Sequence, residues 1–426
     1  MIRDVVIVDG ARTPFCKAGT ALRGVPAVEL GRIAVREVIE RTAVDVELID
    51  HVVIGNVGSP ADATNIARVV ALEAGIPRRV PAYTVNRNCA SGIEAIAEAA
   101  RLIVSGAAKV VVAGGAESMS RLPLLFSEEA SSLFGGIARR KSLAERAALA
   151  VQFRPRHFAP VAAIEVGLTD PLCGLNMGET AEVLAKEWKV SREAQDEFAL
   201  RSHRLANAAR ERLRAETVPV YVAPEFEEVV SEDVGPRAEQ SIEALARLSP
   251  FFDRRYGTVT PGNSCGITDG AAACLVMAAD RARELGYAPL GHVRAYATAG
   301  IEPERMGLGP AYATPLALDQ AHLRFADVDL IEMNEAFAAQ VIANEAAFAS
   351  KRFAAEKLGR SSPIGEIRRE ILNVNGGAIA LGHPVGATGA RLVLALLYEM
   401  RRRGVKFGLV TLCVGGGQGA AMVLER

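Results

Sequence analysis

The sequence predicts an α/β fold, with strands joined by crossover helices over a largely buried sheet. Three observations carry that expectation. Short apolar runs of strand type alternate with stretches whose apolar residues recur at helical spacing. The alternation is interrupted once, over residues 120–250, by a segment rich in Arg, Glu and Ala. The order of elements around Val85 then recurs around Val374. With 426 residues and 50% hydrophobic content, the chain has material for two or three domains, each with a core.

In chain order, residues 5–8 read as the first strand, followed by a turn at Arg12-Thr13-Pro14. Residues 28–39 have helical periodicity, 51–56 form a strand and 65–73 a helix. Next comes AYTVNRNCASGIEAIAEAARLIVSGAAKVVVAGGAES, residues 82–118. There 83–86 is a strand and 87–92 a tight turn of small polar residues around Cys89. Ile93, Ile96, Ala97, Ala100 and Val104 mark a helix, Gly106 stops it, and 109–113 is a strand.

After Met119 the alternation is lost. Residues 191–214 read as a charged amphipathic helix with a capping Ser191. Pro219, Pro224, Pro236 and Pro250 punctuate extended connections, so the segment is expected to be an inserted, mostly helical layer over the sheet. Within it, residues 134–158 mix Arg139, Arg140, Lys141, Arg146, Arg154 and Arg156 with Leu, Ala and Phe. Two readings stand: a solvated helix with an apolar inner face, or a helix that docks on a membrane or a partner.

Alternation resumes at Gly257, with strands at 271–277, 292–298 and 330–333 and helices at 281–285, 316–323 and 336–348. Val374-Asn375 then opens a turn, a helix and LVTLCVGGGQG, as Val85-Asn86 opens a turn, a helix and VVVAGGAES. The second copy is longer, mostly through GGAIALGHPVG. Duplicated halves are expected to face each other with both turns at one site.

A formal net charge of −1 gives no overall field to recruit nucleic acid or an anionic membrane. Six cysteines (16, 89, 173, 265, 274 and 413) lack C-x-x-C spacing, which argues against zinc and against a disulfide framework. That pattern, and an opening that runs straight into a strand, lead to an expected cytoplasmic location. No phosphate-binding G-x-x-x-x-G-K-[ST] is present, and Gly382, Gly386 and Gly389 do not make a dinucleotide fingerprint. No metal is expected.

Four stretches gather reactive groups among small residues. Cys89 lies between a strand and a helix N-terminus, where backbone N–H groups and the helix dipole are expected to lower a thiol pKa. The alternative is a buried structural thiol. His383 sits in a turn between Gly382 and Pro384, ahead of a helix, and there a His can take a thiol proton. Asn334 lies in MNEAFA. Cys413 ends an apolar strand before three glycines, whose N–H groups could approach a ligand as an oxyanion hole requires. Alone, Cys413 reads as a buried strand residue. Two Cys, one His and one Asn at strand–turn junctions of matching halves are harder to dismiss.

Across essentially the whole chain, these residues resemble the thiolase family. The likeness rests on NCASG, GGAESM (114–119), GLTDPLCGLNMGETAE (167–182), GTVTPGNSCGITDGAA (257–272), MNEAFA (333–338), NGGAIALGHPVGATGAR (375–391) and CVGGGQG (413–419). The resemblance implies a five-layer αβαβα core of two βαβαβαββ halves with an inserted loop domain. The halves would be residues 1–119 with 251–275, and 276–426, with 120–250 as the insert.

The resemblance also implies acetyl-CoA C-acyltransferase chemistry: thiolytic cleavage of 3-ketoacyl-CoA by CoA in fatty acid β-oxidation. Cys89 would be the nucleophile, His383 its base and Cys413 the acid that protonates the acetyl-CoA enolate. His383 and a water held by Asn334 would face the enolate oxygen, and the N–H groups of Cys89 and Gly415 the acyl-transfer oxyanion. Leu168, Met177, Ser264, Cys265, Ala336 and Phe337 match positions that line the pantetheine and acyl tunnel, with ordinary core packing as the alternative. Two departures stand out: Cys265 replaces a frequent Ser, and Asn176 replaces the His of many short-chain biosynthetic members.

No permanently bound cofactor is implied, with coenzyme A as a substrate only. The expected partners are acyl-CoA and CoA, a second copy in a homodimer or dimer of dimers, and, through residues 125–163, a β-oxidation partner subunit or a membrane surface. Three rivals remain. An acetyl-CoA C-acetyltransferase would form acetoacetyl-CoA. A ketoacyl synthase would carry a second His in place of the Asn334 motif and no counterpart of Cys413. A non-catalytic lipid or CoA carrier would lack one of Cys89, His383 or Cys413.

Overall fold

A computed structural model describes residues 4–426. The first stretch forms β1 (Val5–Arg12), β2 (Cys16–Lys17), α1 (Ala27–Thr42), β3 (His51–Gly55), α2 (Ile66–Glu73), β4 (Ala82–Val85), α3 (Ser91–Val104) and β5 (Val110–Ser118). An excursion follows: β6 (Leu124–Leu125), α4 (Glu128–Arg139), α5 (Leu143–Ala150), β7 (Val161–Ala162), α6 (Ala163–Gly167), α7 (Met177–Glu187), α8 (Arg192–Ala208), α9 (Arg210–Leu213), β8 (Val220–Tyr221), β9 (Val229–Val230) and α10 (Ile242–Ala246). The chain returns through β10 (Thr268–Ala278), α11 (Ala279–Glu284), β11 (Gly291–Gly300), α12 (Gly309–Ala321), β12 (Leu330–Met333), α13 (Ala338–Ala349), α14 (Lys351–Leu358), α15 (Ala378–Leu381), α16 (Val385–Arg403), β13 (Phe407–Val414) and β14 (Gln418–Glu425).

The strands run in the order β4-β3-β5-β10-β1, then β11-β14-β13-β12, with β2 beside β10. In the first group β3 is parallel to β4 and to β5, while β10 is antiparallel to β5 and β1. The second group repeats this. β12 is parallel to β13, and β14 is antiparallel to β13 and β11. Leu372 bridges Ile331 in the place that β4 holds beside β3. Among the described residues, the groups join where Val6 and Ile7 of β1 meet His292 and Gly291 of β11.

Both faces of these strands are covered, which is why β5 and β10 are buried at every residue instead of alternating. Helices α3 and α16 share one core with strands from both groups. Helices α1 and α2 pack on the outer face of the first group, α12 and α13 on the outer face of the second. The result is five layers, α-β-α-β-α. Among the described residues, no helix is long and apolar enough to cross a membrane.

Several elements differ from their sequence reading for physical reasons. Arg12 is not in a turn. It ends β1 fully buried, with its guanidinium on Glu216 at 2.6 Å and Asp233 at 2.7 Å, which ties the excursion to the sheet. The strand read at 109–113 continues to Ser118, because Gly114 and Gly115 lie flat against β10 and α16. The helix read at 336–348 starts only at Ala338, since Phe337 is extended and bridges Ser264. Ser191 does cap α8, accepting from Ala194 N–H.

The helix with an apolar inner face expected at 134–158 is overturned. The segment breaks into α4 and α5, whose only buried residue is Ala130. Phe126, Phe134 and Phe158 stay exposed, in ring contact in series through Phe153 at centroid distances of 4.8–5.3 Å.

Candidate active site

The site is set by how closely the two central helices approach. A Cβ on Gly92 of α3 would lie 2.7 Å from Ala390 N, and one on Gly389 of α16 would lie 2.4 Å from Ile93 N. Only glycine permits that contact, and it brings the two helix N-termini side by side. Cys89 lies two residues before α3 and His383 two residues before α16. Neither helix has a side-chain cap from its N-cap residue, and at α16 the Gly386 N–H is taken by Glu117.

Cys89 is presented by a locked turn. Asn88 adopts φ +43°, a conformation Asn tolerates better than most residues, and its Nδ2 donates to Gly415 O at 2.8 Å. Ser91 Oγ accepts from Arg87 N–H at 2.9 Å and donates to Asn88 O at 2.7 Å. Backbone N–H groups of Gly415 and of Cys89 itself favour the Cys89 thiolate.

The expected depression of the Cys89 pKa does not occur. Burial pushes the thiol up, the two N–H groups pull it down by less, and the charge of Glu117 adds to the rise. The resting nucleophile is a neutral thiol that needs a base.

His383 can be that base. Burial, with the positive charge of Arg391 behind it, pushes its pKa down to about 3, so the ring is neutral near pH 7. Nδ1 lies 2.6 Å from Thr388 Oγ1, and that hydroxyl in turn donates to Pro384 O at 3.4 Å. Thr388 therefore accepts, which assigns the ring proton to Nδ1 and leaves a lone pair on Nε2. Asn334 Nδ2 sits 3.4 Å from Nε2, while Asn334 Oδ1 is buried with no protein partner.

Cys413, near the end of β13, is buried, and burial followed by the charges of Cys89 and Cys265 raises its pKa well above the ordinary value. It keeps its proton, as an acid must. Cys89, Cys265, Cys413 and His383 line one cavity of about 520 Å³. Leu168, Met177, Ser264, Ala336 and Phe337 line it too. Ser264 Oγ is already committed, donating to Thr260 O at 2.7 Å, and burial pushes the Cys265 thiol to about 12. Asn176 also borders this cavity, but its side chain caps α7, accepting from Gly178 and Glu179 N–H at 3.0 Å.

A second cavity, of about 320 Å³, meets the first at Cys89, with Leu168 and Met177 shared. Gly415 lines only this second one. All the residues singled out in the sequence thus gather around Cys89, Asn334 through its contact with His383.

Sequence reasoning missed two groups. Thr388 fixes the His383 tautomer but looks like an ordinary helix residue. Glu117 is buried beside the second cavity and accepts from Asn56 Nδ2 and from the N–H groups of Val57, Gly58 and Gly386 at 2.9–3.0 Å. Burial still pushes its carboxyl up to about 7. Its signal was present, since it stands inside GGAESM.

Duplicated α/β halves with a cysteine and a histidine at paired helix N-termini define a class of acyl-transfer protein, and comparison with known proteins narrows it. Residues 5–280 match the profile of "Thiolase, N-terminal domain" and residues 287–426 that of "Thiolase, C-terminal domain". The chain is 46% identical over 424 residues to a 3-ketoacyl-CoA thiolase of Pectobacterium carotovorum subsp. carotovorum, covering 99% of this chain and 96% of the relative. It is 45% identical over 424 residues, with the same coverage, to the enzyme so named in Yersinia enterocolitica.

Among solved structures, the Bacillus anthracis acetyl-CoA acetyltransferase superposes with a TM-score of 0.87 at 38% identity, covering 100% of this chain and 99% of that one. Human mitochondrial 3-ketoacyl-CoA thiolase in complex with CoA gives 0.86 at 34% identity, covering 100% and 98%. The chain belongs to the thiolase family.

Proposed function

We propose that this acyltransferase cleaves 3-ketoacyl-CoA with CoA, giving acetyl-CoA and a shortened acyl-CoA through an acyl-cysteine. The observation that carries the reading is one cavity holding a neutral thiol, a neutral imidazole with its lone pair on Nε2, and a second protonated thiol.

In the first half-reaction Cys89 passes its proton to His383 Nε2 and attacks the 3-keto carbon. The oxyanion takes the N–H groups of Cys89 and Gly415, each such donor being worth about 3 kcal/mol. The C2–C3 bond breaks, leaving the acyl group on Cys89 and an acetyl-CoA enolate. His383, now carrying a proton on Nε2, and a water accepted by Asn334 Oδ1 face the enolate oxygen, and Cys413 delivers its proton to C2. In the second half-reaction the Cys413 thiolate takes the proton of CoA. The CoA sulfur attacks the acyl carbon, and Cys89 leaves and recovers its proton from His383.

Leu168, Met177, Ser264, Cys265, Ala336 and Phe337 would flank the pantetheine and acyl groups. CoA enters as substrate, with no resident cofactor. The proposed units are 1–119 with 251–275, 120–250, and 276–426. A second copy is assigned to the edge strand β4, whose four residues are only partly buried. The exposed Phe and Arg side chains of 125–163 are assigned to an anionic membrane surface, a β-oxidation partner subunit being the other occupant. Six free thiols fit a cytoplasmic setting.

The test is incubation with a 3-ketoacyl-CoA in the absence of CoA. An acyl mass increment on the peptide bearing Cys89, released by added CoA, is the expected result. An unmodified Cys89 with acyl elsewhere would end the reading. The acetyl-CoA C-acetyltransferase alternative predicts the same adduct only from acetoacetyl-CoA.

A further inference from the structure

In the proposed reaction Asn334 and His383 serve one enolate oxygen, yet they arrive on separate stretches of chain. Asn334 follows β12 and His383 follows α15, with Asn334 Nδ2 and His383 Nε2 3.4 Å apart. Glu335 stands next to Asn334, fully buried, and no step described above uses it. Its carboxyl binds both stretches.

Glu335 Oε1 accepts from Asn373 Nδ2 at 2.8 Å, and Oε2 accepts from Ser202 Oγ at 2.6 Å and Ile379 N–H at 3.2 Å. Each donor leads to a different part of the site. Asn373 also accepts from Met333 N–H at 2.8 Å and donates to Met333 O at 2.9 Å, so it grips the residue before Asn334. Ile379 lies in the first turn of α15, four residues before His383. Ser202 belongs to α8 of the excursion, and its Oγ accepts from Gly377 N–H at 3.1 Å.

The turn between these groups has no slack. A Cβ on Gly377 would lie 2.2 Å from Glu335 Cδ, and one on Gly376 would lie 2.7 Å from Ala206 N of α8. All three donors to Glu335 are neutral, so no opposite charge at hydrogen-bond distance offsets the burial of the carboxyl. An apolar side chain would fill the space at lower cost but would tie the turn to nothing. Any shift of 373–379 relative to Asn334 breaks at least one of these bonds.

Resting on the acyl-cysteine reading, we propose that Glu335 is a positioning residue for carbon–carbon cleavage, setting the separation of Asn334 from His383 so that both face the enolate oxygen. Ser202 is the part of the device that the excursion supplies. Transfer of an acyl group between Cys89 and CoA forms no enolate, so it does not need that convergence. The approach of Cys89 to His383, which both half-reactions use, is set separately where α3 meets α16. A misplacement of about 1 Å in such a site costs about 10²-fold in rate.

The experiment compares two rates of the full chain. One is thiolysis of a 3-ketoacyl-CoA, and the other is exchange of labelled CoA into the matching acyl-CoA, which passes through the same acyl-cysteine without an enolate. Glu335→Gln keeps the shape but turns one acceptor oxygen into a donor facing donors. It should lower kcat for thiolysis by about 10- to 100-fold and exchange by less than about threefold. On an Asn334→Ala background it should cost less than about threefold in thiolysis, because the group it acts through is gone. Ser202→Ala, the milder change, should lower thiolysis by about threefold or more and leave exchange unaltered.

Melting temperature reports that each variant is folded. Equal losses in thiolysis and exchange, losses that multiply with Asn334→Ala, or a folded Glu335→Gln with native thiolysis would overturn the inference and leave the acyl-cysteine reading in place. Should Glu335→Gln not fold, Ser202→Ala decides, and native thiolysis in that variant overturns the inference. A wild type that forms no acyl-cysteine overturns both, and the adduct measurement separates the two failures.

Discussion

The assignment of the His383 proton to Nδ1 can be tested by Thr388→Val, which keeps the side-chain shape and removes the hydroxyl. In the native site Nδ1–H donates to Thr388 Oγ1 at 2.6 Å, and Nε2 faces Asn334 Nδ2 at 3.4 Å. With valine the Nδ1–H is buried without a partner, at a cost of about 1–3 kcal/mol. The ring can escape that cost by moving its proton to Nε2, because Asn334 can turn its unpaired Oδ1 to accept it. That tautomer has no lone pair toward Cys89.

The free energy that favours the competent tautomer is therefore lost, and kcat for thiolysis should fall by roughly 5- to 150-fold. Thr388→Ser keeps the hydroxyl and should stay within about threefold of wild type. The assay is steady-state thiolysis of one 3-ketoacyl-CoA, with thermal melting as the check on folding. A folded Thr388→Val within twofold of wild type would refute the reasoning. So would Thr388→Ser as slow as Thr388→Val, since the hydroxyl would then not be the operative group.

The other expectations divide between chemistry, packing and charge. Cys413→Ala should slow carbon–carbon cleavage by about 10²- to 10⁴-fold, and transfer of a preformed acyl group from Cys89 to CoA much less; equal losses in the two partial reactions would remove Cys413 as the acid. Gly115→Ala would place a Cβ 1.9 Å from Gly386 O, backbone that cannot yield, so its unfolding free energy should drop by about 3 kcal/mol; a native unfolding free energy would contradict the helix–strand contact.

Glu117, raised from 4.5 to about 7, holds its proton when folded over a range in which the unfolded chain releases it. Its contribution to stability is thus full below about pH 4.5 and is lost as pH rises to about 7. His383, lowered to about 3, acts in the opposite sense between about pH 3 and 6.5, but equally in wild type and Glu117→Gln. Urea midpoints at pH 5 and pH 8 should therefore decline with pH more in wild type than in Glu117→Gln; parallel declines would place the Glu117 pKa elsewhere. Deleting residues 125–163 should abolish co-sedimentation with phosphatidylserine vesicles; equal sedimentation of both proteins would place the docking surface elsewhere.

The framework of the site was legible because it lies in local pattern. A strand, a turn of small residues and a periodic helix place Cys89 without any tertiary knowledge, and the same order places His383 and Cys413. Capping was legible at Ser191, and equally readable at Asn176 and Glu179, whose reciprocal pair opens α7. What was not legible depends on burial contributed by distant segments. The helix N-terminus argues for an acidic Cys89 thiol, and two N–H groups do act that way, yet desolvation outweighs them. Local sequence does not report how much water the other half of the molecule removes. Glu117 is one of 50 acidic residues, singled out only by donors from residues 56–58 and 386. In 134–158 the periodicity was present, but no neighbouring surface receives its apolar side.

The duplication also explains why the reacting pair is unlike. The same element, a turn feeding an uncapped helix in the central layer, occurs once in each half and supplies Cys89 in one and His383 in the other. A symmetric pair would fail chemically. Two thiols at these positions would each be raised by burial with no base between them, and two imidazoles would provide no thiol to form the acyl-cysteine. The scaffold supplies matched positions, and the difference in side chain supplies the proton gradient from Cys89 to Nε2. The glycine contacts set how closely the two turns approach, since a side chain at Gly92 or Gly389 would clash with the facing helix backbone and push the helices apart. A substitution at either glycine should therefore impair proton transfer before it disturbs either cavity, because the spacing of the two turns is the quantity those contacts determine.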